Sequence, residues 1–372
     1  MNSKLIYIAD IRLPTEKAHG IQIMKMCEAF ARQGQEVLLW VPRRHTPITE
    51  DPFLYYQVER NFQIKYVTCL DLTRFGVIGF FFQTTTFAIN VFWKSLFEAR
   101  ASFFSRDPYI TLLLKLGGKN VAWEAHMGHI NKAINLLIKL KVKMVHITYG
   151  LFDFYKSHGA PEKDMIVASD AVDIDQFNLQ LSKQEAREKV GFAKDEKIVL
   201  YTGHLYSWKG ADTLAEAAKI LGDTIRVVFV GGTDHDIASF TQKYGETKNI
   251  TMVGKKPHKD IPMYLRGADV LVIPNSAKED ISRLYTSPMK LFEYMASGTP
   301  IIASNLPSLR EVIDGDTSFL FEPDNAVDLA TKIETVFQNS LDSQKKATVA
   351  FEKVQGYSWD NRAKHILTFL YS

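Results

Sequence analysis

Ser287-Pro288-Met289-Lys290-Leu291-Phe292-Glu293-Tyr294-Met295-Ala296-Ser297-Gly298-Thr299-Pro300 decides the fold, because it sets a single carboxylate, Glu293, into an apolar helical turn directly before a strand. A charge among apolar side chains is costly unless something binds it. Upstream, Val272-Ile273-Pro274 ends one predicted strand, and downstream Ile301-Ile302-Ala303-Ser304 begins another. The stretch therefore reads as the crossover helix of a strand-helix-strand unit. Its N-terminus falls at the carboxyl edge of a parallel sheet, where open α/β sheets bind nucleotides and phosphates.

Outward from this unit the same alternation recurs. In the first half, Leu5 to Ala9 is followed by a helical pattern from Gly20 to Gln33, with Gly34 as its stop, and then by Val37 to Val41. Further predicted strands are Ile64 to Thr68, Phe103 to Ser105, Val121 to Trp123 and Met144 to Thr148. After a polar connector near Asp173 to Leu181, Ser182 and Glu185 form a capping box, and the alternation restarts at Ile198 to Tyr201. Arg226 to Val230, Ile250 to Val253, Val270 to Ile273 and Thr299 to Ala303 complete a second parallel α/β domain. The division expected is residues 1–178, residues 179–356, and an amphipathic tail, 357–372, that packs back on the first domain to bury Trp359, Ile366 and Leu367.

Composition narrows the classes. A chain of 372 residues suits two domains of roughly 150 to 200 residues each. Hydrophobic residues at 46% and charged residues at 23% describe a globular protein, and a net charge of +3 gives no basis for a nucleic-acid partner. Two cysteines, Cys27 and Cys69, cannot build a disulfide framework or a metal cluster. Met1 to Asp10 reads as a strand that begins at once and not as a signal peptide, so a cytoplasmic setting is expected. Phe75 to Trp93 is apolar but contains Gln83, Thr84, Thr85, Thr86 and Asn90, and is expected to be a buried helix, with a membrane-contacting surface as the alternative. Lys132 to Lys143 is a basic stretch suited either to solvent or to an anionic membrane surface.

Three places carry candidate chemistry. Tyr201-Thr202-Gly203-His204-Leu205-Tyr206-Ser207-Trp208-Lys209-Gly210 runs from a strand end into a helix, so Lys209 and Glu293 converge on one sheet edge, where a shared ligand is expected. Trp123-Glu124-Ala125-His126-Met127-Gly128-His129 puts His126 at the corresponding edge of the other sheet, in position for proton transfer or hydrogen bonding. The third is the glycine turn at Ala18-His19-Gly20. Glu124, His126 and His129 have a spacing that admits zinc, yet no fourth ligand clusters with them, and no metal is expected.

Gly203 to Gly210, Ser287 to Pro300, Glu124-Ala125-His126, and Val172-Asp173 with Phe177 together resemble the family 4 retaining glycosyltransferases of the GT-B fold. The resemblance implies two Rossmann-like parallel-sheet domains facing each other across a cleft, the first for the acceptor and the second for a nucleotide-sugar donor. It implies that Gly20 and Gly203 approach the donor diphosphate, that Lys209 binds it, and that Glu293 holds the donor ribose. Backbone amides around Met289, Lys290 and Leu291 would face the phosphates, Val253 and Lys255 would lie along the nucleobase, and His126 would stand near the transferred sugar. Two positions depart from the family pattern. Tyr285 stands where the first glutamate of a pair is usual, with Glu279 or Asp280 as substitutes, and His204 stands where an arginine is usual, with Lys290 as its replacement. The implied activity is metal-independent hexosyl transfer with retention of configuration, onto a glycan, lipid-linked or small-molecule acceptor in cell-surface polysaccharide or glycolipid assembly. A nucleotide-sugar binding protein without catalysis, and a GT-B sugar-nucleotide epimerase, are the alternatives.

Overall fold

Runs such as Leu5-Ile6-Tyr7-Ile8 and Val37-Leu38-Leu39-Trp40-Val41 are buried along their whole length, not on alternate residues. That pattern belongs to parallel strands covered on both faces. The computed structural model describes residues 4–372. Met1 to Ser3, which the sequence reading takes into the first strand, lie outside the described residues. The chain divides into two compact units, one made of residues up to 169 together with 359–372, the other of residues 170–358.

The first unit holds seven parallel strands: β1 (Lys4–Ile8), β2 (Glu36–Pro42), β3 (Gln63–Val67), β4 (Ala101–Ser105), β5 (Asn120–Ala125), β6 (Lys143–His146) and β7 (Met165–Val167). Their order is β3-β2-β1-β4-β5-β6-β7, with Ile6 opposite Leu38 on one side and Phe103 on the other. The order reverses between β1 and β4, so the loops that leave these two strands open the crevice in which such sheets bind ligands. Four helices of this unit enter the argument: α1 (Ala18–Arg32), α2 (Gly76–Ser95), α3 (Pro108–Leu116) and α4 (Lys132–Lys139). Asp107 caps α3 by accepting from the amides of Tyr109 and Ile110, and Asn131 caps α4 by accepting from Ile134.

The second unit holds β8 (Lys197–Thr202), β9 (Ile225–Val230), β10 (Ile250–Gly254), β11 (Val270–Ile273), β12 (Ile301–Ser304) and β13 (Phe319–Phe321) in the order β10-β9-β8-β11-β12-β13, again all parallel. Alternation along β8 builds two cores. Ile198 and Leu200 pack with Leu291, Phe292 and Met295 on one face, while Val199 and Tyr201 pack with Leu214 and Ile333 on the other. Between β8 and β9 lies α5 (Ala211–Leu221), and between β11 and β12 lies α6 (Met289–Ala296), the predicted crossover helix. The chain ends in α7 (Trp359–Tyr371), which packs on α1 within the first unit and buries Trp359, Ile366 and Leu367.

Three expectations need correction. The boundary falls near residue 169 and not at 178, because Val172 and Phe177 belong to the second unit's core and Val172 donates its amide to Tyr357 at 3.0 Å. Tyr357 itself packs on Phe292, with ring centroids 5.1 Å apart, so the tail that returns to the first unit begins at Trp359 and not at 357. Finally, α2 is not a buried helix. Only Gly79, Gln83, Phe87, Val91 and Ser95 along it are buried, and the polar residues that argued against lipid include those that face the protein.

Candidate functional site

Glu124 is the penultimate residue of β5 and is fully buried. Tyr7 donates its hydroxyl to Oε2 at 3.2 Å, and Gln22 donates to Oε1 at 3.5 Å. Arg362, from α7, donates through Nη2 to the same Oε1 and to the carbonyl of Ala168 at 3.1 Å, and through Nε to the carbonyl of Ser169 at 2.8 Å. Arg106, directly after β4, places Nε 4.0 Å from Oε2, and His126 places Nε2 3.2 Å from the same oxygen. Burial alone pushes a carboxyl group up. Here Arg362, His126 and Arg106 outweigh it and hold Glu124 well below the usual range, so the group is ionised.

The same surroundings keep His126 neutral. Burial, then the Arg106 charge, lowers its pKa to about 4 against the pull of Glu124. His19, in the first turn of α1, is lowered to about 4 by burial and then by Arg106. The fixed positive charges of this edge are thus Arg106 and Arg362, and His126 stands there as a neutral imidazole. Nε2 lies 3.2 Å from the carboxylate without forming a hydrogen bond to it. Gly20 lies inside α1 and not in a loop, since the helix begins at Ala18. A Cβ there would fall 2.3 Å from Tyr56 Oη, and the glycine amide already donates to Lys17 O at 3.0 Å, so Gly20 supplies closeness and not a donor.

In the second unit, Lys209 ends a short 3-10 turn, Ser207–Lys209, after β8. Gly210 follows with φ of 70°, and a Cβ there would sit 1.8 Å from Pro274 O, so only glycine lets the turn press against the end of β11. Helix α6 is held to the end of β8 by the Thr202 amide, which donates to Tyr294 Oη at 2.8 Å. These two fixed elements bring Lys209, Lys290 and Glu293 into one electrostatic cluster. Burial lowers Lys209 to about 8 although Glu293 opposes the shift. Lys290 is buried with no hydrogen-bond partner for Nζ, which lies 4.1 Å from the centre of the Tyr201 ring. Burial, then the neighbouring Lys209, pushes Lys290 well below the ordinary lysine range against Glu293.

Glu293 is paired. His258 Nε2 lies 2.8 Å from its Oε1, and the imidazole packs edgewise on Phe177 at 5.5 Å. The other predicted residues are more dispersed. The Gly203 amide donates to Val230 O at 2.9 Å, and His204 stacks on Tyr206 with ring centroids 5.0 Å apart. Val253 packs against the core and Lys255 is exposed at the end of β10. Met289 and Lys290 open α6, whereas Leu291 is a core residue whose amide already donates to Pro288 O at 2.8 Å, so it has no amide to offer a phosphate. Of the acids near Tyr285, Asp280 is paired with Arg283 at 2.6 Å, and Glu279 accepts from Ser207 Oγ at 3.5 Å.

Arg106, Arg362 and His258 escape the sequence reading, and His19 enters it only as part of the turn Ala18-His19-Gly20. Arg106 could have been found by the rule that picks out His126, since both directly follow a buried strand. Arg362 and His258 reach partners 238 and 35 residues away, and no local pattern announces that.

Residues 182–353 match the model of the family described as glycosyl transferases group 1. Over 224 residues the chain is 25% identical to D-inositol 3-phosphate glycosyltransferase of Corynebacterium aurimucosum, covering 56% of this chain and 51% of that one. It is 26% identical to the putative teichuronic acid biosynthesis glycosyltransferase TuaC of Bacillus subtilis, covering 47% and 41%. The chain spans about half the length of the curated relatives it matches. Among solved structures, HepE of Anabaena in complex with UDP and glucose superposes with a TM-score of 0.77 over 100% of both chains at 14% identity, a likeness of fold. Residues 182–353 are thus similar to the glycosyl transferases group 1 family, and the chain's two parallel sheets have the GT-B fold.

Proposed function

We propose that the protein is a metal-independent, retaining glycosyltransferase that moves a hexosyl group from a nucleotide-diphosphate-sugar donor to an acceptor in cell-surface polysaccharide or glycolipid assembly. The observation that carries this reading is the convergence of Lys209, Lys290 and the Glu293–His258 pair at the carboxyl edge of the second sheet. When the sugar–phosphate bond breaks, its electron pair stays on the diphosphate, and the negative charge grows there. Lys209, Lys290 and the N-terminus of α6 meet that charge, which favours the protonated form of both amines. The paired carboxylate of Glu293 accepts hydrogen bonds from the donor's ribose hydroxyls, a part of the donor that does not react. The acceptor is assigned to the first unit, where His126 offers a neutral imidazole beside Glu124. The family match and the UDP complex of HepE support the donor class.

The deciding experiment is a thermal-shift panel of UDP-, GDP- and ADP-sugars, followed by an assay of nucleoside diphosphate release with the donor that binds. One donor should raise the melting temperature by linkage and then turn over. If none shifts it, the donor reading fails. A shift without release, with or without added acceptors, would make the protein a binder.

A further inference from the structure

Helix α2 is apolar on both sides. Its 20 residues include one charge, Lys94, and the side that faces the protein carries Gly79, Gln83, Phe87, Val91 and Ser95. Gln83 and Thr84 donate to the two carboxylate oxygens of Asp10, each at 2.8 Å. Ile78, Phe82, Ile89 and Trp93, spaced by four, seven and four residues, share the outward face, and Phe81 flanks them. Val77 is 86% exposed, Phe81 65% and Trp93 60%, and Phe97, just beyond the helix, is 89% exposed. A helix that meets only water is patterned the other way round.

The rim of this patch is basic. Arg74 lies 4.8 Å over the Phe75 ring at one end, and Arg100 is exposed at the other. Between Leu72 and Lys143 the acidic residues are Glu98, Asp107 and Glu124. None is exposed: Glu98 bonds Lys4 at 2.7 Å, Asp107 caps α3, and Glu124 is buried. A second copy of the chain would set this basic rim against itself, since a two-fold interface meets its own patch. Nor can α2 cross a bilayer without tearing Phe87 and Val91 from the core they share with Ile6, Ile8 and Trp40.

We propose that α2 lies in the plane of an anionic lipid bilayer, with Ile78, Phe81, Phe82, Ile89 and Trp93 set into its interface and Arg74 and Arg100 at the headgroups. This moves the membrane contact away from the basic stretch at Lys132 to Lys143. On that stretch Lys143 is already spent on the carbonyls of Phe369 at 2.7 Å and Leu370 at 3.2 Å. The proposal stands on α2 alone and not on the transfer reading, which donor binding tests separately.

The test is flotation of the full chain, without donor, on vesicles of phosphatidylglycerol and phosphatidylcholine, compared with phosphatidylcholine alone. The wild type should float with the anionic vesicles and less with the neutral ones. Phe81→Ser, Phe82→Ser and Trp93→Ser combined should lower apparent vesicle affinity at least tenfold while leaving the melting temperature unchanged. Failure of the wild type to float, or equal flotation of the triple variant, would overturn the proposal. So would a wild-type dimer in light scattering that the triple variant turns into a monomer, because a second copy would then cover the face. Should the triple variant misfold, wild-type fluorescence decides. Trp93 must then be quenched by brominated lipid, with the quenching lost in Trp93→Phe, and an unquenched Trp93 refutes the insertion.

Discussion

Glu293 is a carboxylate that the fold has already partnered with His258, whereas Lys290 is a buried lysine left without a hydrogen bond beside it. The two therefore answer differently to mutation. Glu293→Ala removes contacts made equally in ground and transition states, so KM should rise with kcat little changed. Lys209→Ala removes charge that faces the growing negative charge, so kcat should fall by about 10²-fold or more. His126→Ala should spare nucleoside diphosphate affinity in calorimetry while transfer falls steeply, and a near-normal kcat would remove His126 from the reaction. These three residues were legible in the sequence because each follows a strand end or sits on a crossover helix. His146 was not, and it makes a separate point. It is buried on β6, stacked on Tyr155 at 5.2 Å with neither ring nitrogen hydrogen-bonded, and burial lowers its pKa to about 3. The unfolded chain takes up this proton near pH 6.5 and the native one does not, so stability falls as pH drops from there towards 3. Each such histidine contributes a slope of about 1.4 kcal/mol per pH unit inside its window. His146→Phe should flatten the dependence by about that amount in denaturant titrations between pH 4 and 6. An unchanged slope would show that His146 is not the buried neutral group described.

At the scale of elements, α7 does more than cover apolar surface. It brings Arg362 to a buried, ionised Glu124 that Arg106 approaches only to 4.0 Å, and Glu124 in turn lies against His126. Removing one partner of a buried ion pair costs about 3–5 kcal/mol, because the other charge stays behind. Arg362→Met should therefore destabilise strongly. The double variant with Glu124→Gln should recover part of the loss, measured by chemical denaturation as a double-mutant cycle. Simple additivity would show that the two side chains do not interact. The apolar periodicity of α7 was visible in the sequence, but its electrostatic role was not, since nothing near Arg362 marks a partner so far away. Most strands were legible as buried β-branched runs. The three-residue strands β7 and β13 are too short to give such a run, and α2 was misread because apolar composition was taken for burial.

For the whole molecule, the source of the charge that balances the leaving diphosphate decides how activity responds to conditions. Among the described residues no group of three or more His, Cys, Asp or Glu gathers as metal ligands do, while Lys209 and Lys290 stand together at one sheet edge. If lysines and the α6 N-terminus supply the balance, transfer should survive EDTA, and added Mg²⁺ or Mn²⁺ should not raise it. Activity abolished by chelation and restored by a divalent ion would overturn this account. Dependence on pH should take the place of dependence on metal. Burial lowers Lys209 to about 8 in the empty site, and a diphosphate binds the protonated amine, so affinity should fall as pH rises through 8. The fall approaches about tenfold per pH unit for one linked proton, because each unit costs about 1.4 kcal/mol. Lys209→Arg keeps its charge throughout this range and should flatten the profile. Calorimetry with the nucleoside diphosphate from pH 7 to 9.5 on both proteins measures it, and equal pH slopes for the two would take Lys209 away from the diphosphate.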